Sequence, residues 1–173
     1  GGRIMQAIFL PAMAVAFAVA PIVGQNYGAG RTDRVRSTFW TAAWMTALLM
    51  LLAMLLVQWL APALIRAFTA DPDAAEVGAG YLWFISWNFV CIGFVFTCSG
   101  ALQGLGNTWP SLWSSLSRIV TFILPVWWLS ARPHFALTQV WVVSIASVTL
   151  QALLIGAWLI PRLRLLAAGR AAP

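Results

Sequence analysis

The chain has 173 residues, 62 % hydrophobic and only 8 % charged, with a net charge of +6 carried by ten basic residues that are all arginine. An average soluble domain carries roughly 25 % charged residues, so a soluble fold could not cover its surface with this composition. No clustered basic run of the kind that grips nucleic acid is present, and the long apolar stretches point to an integral membrane protein whose first partner is the lipid bilayer.

About twenty apolar residues cross the hydrocarbon core as a helix, and five segments meet that length, at about 4–24, 38–60, 80–102, 109–130 and 137–160. The runs are long and do not alternate, which predicts helix and an all-α, polytopic bundle. The opening GGRIMQAIFLPAMAVAFAVAPIVG has Arg3 before an apolar run containing Ala18-Val19-Ala20, as a signal peptide would. The run is too long for a signal core, and the downstream sequence is also membrane-like. Short connections make neighbouring spans antiparallel. Arg31, Arg34, Arg36, Arg162, Arg164 and Arg170 then share one side, against Arg3, Arg66 and Arg132 on the other. The positive-inside rule makes the first side cytoplasmic, with the C-terminus there.

The first connection, GQNYGAGRTDRVR (residues 24–36), holds three glycines. A Walker loop needs Lys and then Ser or Thr after its last glycine; here Arg31-Thr32 follows, the glycine spacing differs, and a membrane helix precedes it. The glycines read instead as helix-stop residues able to take positive φ: Gly24, Gly28 and Gly30, and later Gly104 and Gly106. Asp71-Pro72 predicts a turn and a new helix start, Pro110 opens the fourth span, and Pro11, Pro21 and Pro125 allow kinks inside spans.

Polar residues inside spans are costly and face a cavity or another helix. Tyr81, Asn88, Ser99 and Gln103 fall on one stripe of the third span with Ile85, Ile92 and Val95. The stripe is either a polar track lining a cavity or a set of interhelical hydrogen bonds, each worth about 1 kcal/mol. In the fourth span Ser111, Ser114, Ser115, Arg118, Thr121 and Pro125 share a face, with Arg118 roughly 14 Å from the helix start, either snorkelling to the surface or facing water. Ser144, Ser147 and Gln151 share a face of the fifth span, as packing residues do. In the first span Arg3, Gln6, Met13 and Phe17 align, which suits an adaptable pocket or a packed core equally. All four acids, Asp33, Asp71, Asp73 and Glu76, lie outside the spans, so a proton- or sodium-coupling carboxylate is not among these segments. His134 stands alone in a loop, no metal-ligand cluster or catalytic constellation exists, and no enzyme activity is expected. Cys91 and Cys98, roughly 10 Å apart along one helix, are too far apart for a disulfide.

The stretch PIVGQNYGAGRTDRVR resembles the helix-ending turn and basic stretch of multidrug and toxic compound extrusion (MATE) transporters. CSGALQGLGNTWPSLWSSLSRIV is similar to a second hallmark of that family, and FTADPDAAEVGAGYL to its outward Asp-Pro loop. The resemblance implies a fold of two six-helix lobes around a central cavity, with residues 1–173 supplying five of the six helices of the C-terminal lobe. The N-terminal lobe and one helix then lie outside the chain, in keeping with the start at Gly1. It implies a bacterial inner-membrane antiporter that exports amphipathic or cationic drug-like compounds in exchange for protons or sodium, without a cofactor and with its coupling residues before Gly1. These five spans alone are expected not to transport. A substrate cavity is expected from Gln6, Met13, Phe17, Asn88, Ser99 and Arg118. A structural turn role is expected for Gly24, Gln25, Asn26, Gly28, Gly30, Gln103, Gly104 and Gly106. Asn88 stands where some members carry an acid, which argues against a sodium site there. Two rivals are a lipid-linked oligosaccharide flippase of the same superfamily, which would want several deep cations, and a non-transporting membrane anchor or assembly subunit.

Overall fold

The computed structural model describes residues 2–66, 72–132 and 136–167; the side chains of residues 2–8, 62, 64, 66, 72–75 and 167 lie outside that description. Every described element is helical: α1 (Gly2–Gly28), α2 (Thr32–Arg66), α3 (Pro72–Ser86), α4 (Asn88–Gly104), α5 (Trp109–Ser130) and α6 (Leu137–Ala167). Four single helices are long and apolar enough to cross a membrane. A fifth span is the pair Glu76–Ser86 and Asn88–Gly104, bent by 43°. The chain is a multi-pass membrane helix bundle, as its composition predicts.

The helices outrun the expected spans. Arg34 and Arg36 fall inside α2 and Arg162 and Arg164 inside α6, where connections were expected; α3 starts at Pro72, and Asp33 and Glu76, expected outside the spans, lie at the ends of the candidate spans Thr32–Ala61 and Glu76–Ser86. A 35-residue α2 measures about 52 Å at 1.5 Å per residue, longer than the hydrocarbon core, so its polar ends continue the helix into the headgroup region. Hydropathy marks where lipid ends, not where backbone hydrogen bonding ends. Asp71, His134 and Arg170 lie outside the described residues.

The glycine turns differ from the expectation in a specific way. Gly24 and Gly28 are helical, and only Gly30 (φ 70°) and Gly106 (φ 73°) adopt positive φ. Both close a helix by the same two backbone bonds. Arg31 N–H donates to Asn26 O (2.8 Å) and Gly30 N–H to Tyr27 O (3.0 Å). Asn107 N–H donates to Leu102 O (3.0 Å) and Gly106 N–H to Gln103 O (3.0 Å). These are the 6→1 and 5→2 bonds of the Schellman motif, which needs one left-handed residue just past the helix. Gly28-Ala29-Gly30 and Gly104-Leu105-Gly106 are thus the same device used twice.

Gly24 and Gly104 serve packing instead. A Cβ on Gly104 would lie 2.5 Å from Ala20 O, one on Gly100 2.5 Å from Ala16 O, and one on Gly24 3.4 Å from Gly104 O. The partner of each α4 glycine advances along α1 in the same direction, so α1 and α4 run parallel with their backbones in contact. Small residues permit this approach, and in lipid the close van der Waals packing replaces the hydrophobic drive of water. On its other side α4 meets α2 through Gly93, where a Cβ would lie 2.7 Å from both Met50 Cγ and Thr46 Cγ2. Thr97 Oγ1 bridges Thr46 Oγ1 (3.2 Å) and Gly93 O (3.0 Å) there.

α4 is therefore the hub. One buried cluster joins Val19 and Val23 of α1, Phe39 of α2, Leu102 of α4 and Ile155 and Leu159 of α6. A second joins Ala12, Met50, Met54, Leu82 and Phe89 of α1 to α4. α5 contributes only Pro110 and Ser114 to the buried set and leans on α6. Leu48, Leu52, Leu55, Leu56, Ile123 and Leu124 are exposed on the outside of the bundle, where a bilayer supplies their apolar surroundings.

Candidate functional site

The bend between α3 and α4 divides the polar stripe expected on the third span. Trp87 N–H reaches only Phe84 O (3.3 Å), Ser86 Oγ donates to Trp83 O (2.7 Å), and Gln58 Nε2 of α2 donates to Ser86 Oγ (3.1 Å). Local rewiring of the hydrogen-bond ladder by a serine kinks the helix, and an amide from a neighbour satisfies the hydroxyl. Tyr81 and Ile85 thus belong to a different helix from Asn88, Ile92, Val95, Ser99 and Gln103. Tyr81 packs edge-on to Trp141 of α6 (5.9 Å between ring centroids) rather than joining the track below.

Asn88 begins α4 and is buried, 2 % exposed. Its Nδ2 donates to Ser144 Oγ on α6 at 3.5 Å, and its Oδ1 has no partner among the described residues. Ser99, eleven residues on, forms a 2.8 Å bond with Ser111 Oγ of α5. Both polar residues bond between helices, Asn88 to α6 and Ser99 to α5, and Ser99 also lines a groove.

That groove lies between α1 and α4. It has a volume of about 260 Å³ and is lined by Met13, Phe17, Phe96, Ser99 and Gln103. Three of the expected cavity residues, Met13, Phe17 and Ser99, meet here, together with Gln103, for which only a turn role was expected. Gln6 lies outside the described side chains. Asn88 does not reach this groove: it lies eleven residues, about 16 Å, from Ser99 along α4 and bonds to α6 instead.

Arg118 lines a separate groove of about 400 Å³ between α5 and α6, with Ser115, Ser144 and Gln151 as polar walls and Ile119, Phe122 and Ile123 as apolar ones. Gln151 Nε2 donates to Ser115 Oγ at 3.5 Å. The single polar face expected on α5 fans out: Ser111 toward α4, Ser115 and Arg118 into this groove, and Ser114 and Ser117 toward Leu154 and Trp158. Tryptophans mark both ends of α5. Trp109 and Trp128, both exposed, are nineteen residues apart, about 29 Å along a helix, close to the thickness of the hydrocarbon core. Arg132 stacks on Trp128 at 3.6 Å and Arg162 on Trp158 at 4.2 Å, as interface anchors do. Arg118 sits midway between Trp109 and Trp128, and a bilayer bounded by those two rings would put it near the centre. An arginine there costs about 2.5–3.5 kcal/mol on insertion scales, and the polar groove is where that cost is reduced.

Gln58 and Ser86 at the bend escaped the sequence reading, although a glutamine inside span 38–60 was a visible signal by the same cost argument. Ser144 and Gln151 read as packing residues; the structure puts them on the wall of the Arg118 groove. Among the described residues no three of His, Cys, Asp and Glu cluster as metal ligands would, and Cys91 and Cys98 are free thiols. The turn residues Gln25 and Asn26 are helical, and Asn26 Nδ2 donates to Ile22 O at 2.8 Å, reinforcing the last turn of α1.

The MatE family model matches residues 1–129. The "Probable multidrug resistance protein NorM" of Thermotoga maritima is 29 % identical over 142 residues, 81 % of this chain and 30 % of that protein. The "Probable multidrug resistance protein YpnP" of Bacillus subtilis is 29 % identical over 139 residues, 80 % of this chain and 29 % of that protein. The chain thus spans about a third of the length of the curated relatives it matches. A solved structure from Pyrococcus furiosus, described as "Reverse polarity of binding pocket suggests different function of a MOP superfamily transporter", superposes with a TM-score of 0.85 at 20 % identity, over 95 % of this chain and 37 % of that one. That likeness shows the same helical fold, and with three-quarters of its residues under the family model the chain belongs to the MatE family.

Proposed function

We propose that this chain is the C-terminal-lobe part of a secondary active efflux transporter. It works by alternating access in a bacterial inner membrane, exporting amphipathic or cationic compounds in exchange for protons or sodium. The carrying observation is the α1–α4 groove, where a thioether (Met13), two rings (Phe17, Phe96), a hydroxyl (Ser99) and an amide (Gln103) share one wall. Such a mix binds varied apolar bodies loosely and offers few directional bonds, as a promiscuous site requires. Family membership and the names of the two relatives support the reading.

The test is dye efflux from cells expressing the complete gene product, with Phe17→Ala and Phe96→Ala variants. Efflux is expected to stop when the ion gradient is collapsed, and the variants are expected to shift the half-saturating dye concentration severalfold. Efflux that persists without a gradient would remove ion coupling. Variants indistinguishable from the parent would remove the groove.

A further inference from the structure

We propose that the α5–α6 groove is a binding site for the anionic head of an amphiphile, a phosphate or carboxylate, with Arg118 as its charge partner. The site is distinct from the α1–α4 groove and does not depend on that groove's role in efflux.

Four observations converge. Arg118 lies midway along α5, nine residues from Trp109 and ten from Trp128, and a lone cation in the middle of a spanning helix is costly. No acid lines its groove, and its guanidinium takes no hydrogen bond among the described residues. Three neutral polar side chains, Ser115, Ser144 and Gln151, converge on the same space. Two hydroxyls and an amide can donate to an anion but add no competing negative charge, whereas a cation site would need oxygen-rich, acidic walls. Finally, Ile119, Phe122 and Ile123 continue the groove as apolar wall, which fits a tail attached to the charged head. A guanidinium matches a phosphate or carboxylate with two parallel N–H donors, and the low dielectric strengthens that pair.

The groove's volume of about 400 Å³ accommodates a phosphate with several methylenes rather than a bare ion alone. Ser144 also links the site to the bend, because its Oγ accepts from Asn88 Nδ2. The Ser144 hydroxyl can accept from Asn88 and donate to an anion at the same time, so an occupant would extend this bond rather than break it.

The test uses the purified protein in a neutral maltoside detergent and reads thermal unfolding against dodecyl phosphate, dodecyl maltoside and dodecyltrimethylammonium. A second arm compares nanodiscs of phosphatidylcholine with nanodiscs containing phosphatidylglycerol. Dodecyl phosphate or phosphatidylglycerol is expected to raise the melting temperature of the parent. Arg118→Gln should abolish the rise and Arg118→Lys retain part of it. Ile123→Trp, which keeps the charge but fills the apolar wall, should weaken half-saturation at least tenfold, and guards against a misfolded Arg118→Gln. An Arg118-dependent rise in the nanodisc arm alone assigns the site to bilayer lipid, and in the detergent arm alone to a diffusible amphiphile; either supports the site. An equal rise with dodecyltrimethylammonium, a rise that survives Arg118→Gln, or no rise in either arm overturns it.

Discussion

Replacing Gly100 with alanine places a carbon 2.5 Å from the backbone oxygen of Ala16, far inside the 3.4–4 Å of an ordinary contact. The obstacle is backbone inside a helix, so no rotamer change relieves it. α1 must move outward by roughly 1 Å, and a gap of 0.5–1 Å already forfeits a quarter to a half of each contact along the seam. Overpacking of this kind costs about 1–3 kcal/mol. For a chain of this size that corresponds to a melting temperature lower by roughly 3–10 °C. Gly104→Ala meets Ala20 O at the same 2.5 Å, one turn further along α1. Because one outward shift of α1 relieves both clashes, the double variant should lose clearly less than the sum of the single losses. Gly93→Ala would meet Met50 Cγ and Thr46 Cγ2 at 2.7 Å, both on fully buried side chains, and should also lower the melting temperature. The assay is thermal unfolding in detergent, with Gly28→Ala as control because nothing lies within 4 Å of a Cβ there. If Gly100→Ala melts with the parent, or the two losses simply add, the parallel backbone contact between α1 and α4 is wrong.

Gly30→Ala forces a left-handed alanine at φ 70° and should lower stability by about 1–2 kcal/mol in the same assay, whereas Gly28→Ala should be neutral or slightly stabilising. Asn88→Leu removes an amide whose Oδ1 is unpartnered and whose only described bond is 3.5 Å long, so it should leave the melting temperature unchanged or raise it; a drop of several degrees would show that the amide is better satisfied than the geometry indicates. In folded protein a small maleimide should modify the part-buried Cys91 before the fully buried Cys98, which should react only after denaturation; mass spectrometry of the labelled peptides reads the order. With both native cysteines replaced by alanine, Arg132→Cys should react with an impermeant maleimide added outside intact cells, and Arg34→Cys only after permeabilisation. The reverse pattern would invert the orientation inferred from arginine placement.

The spans were legible because lipid imposes one strong rule: an uninterrupted apolar run of fixed length, satisfied internally as helix. The two Schellman turns were legible in part. Gly-x-Gly announced a helix end in both places, but which glycine takes positive φ depends on where the helix runs out of partners. That point lies four residues beyond Gly24, since Gly24 is held in the helix where its bare Cα meets Gly104. The bend at Trp87 was not legible, because its cause is distributed. Ser86 bonds back to Trp83, and the amide that satisfies Ser86 comes from Gln58, twenty-eight residues away on another helix. One unseen bend was enough to break the extrapolated stripe from Tyr81 to Gln103.

The sequence by itself determined that this is an all-helical membrane bundle, that its glycine motifs end helices, and that Arg118 stands well inside its span. Those conclusions follow from composition, run length and helical rise, which need no knowledge of neighbours. Only the tertiary structure decided which polar groups share a space: Met13, Phe17 and Ser99 in one groove, Arg118 with Ser144 and Gln151 in another, and Asn88 in neither. Periodicity assigns a residue to a face of its own helix. What that face meets is set by the helix opposite and by the angle of approach, and here the glycines that bring α1 against α4 and the packing of Asn88 against Ser144 of α6 made the choice.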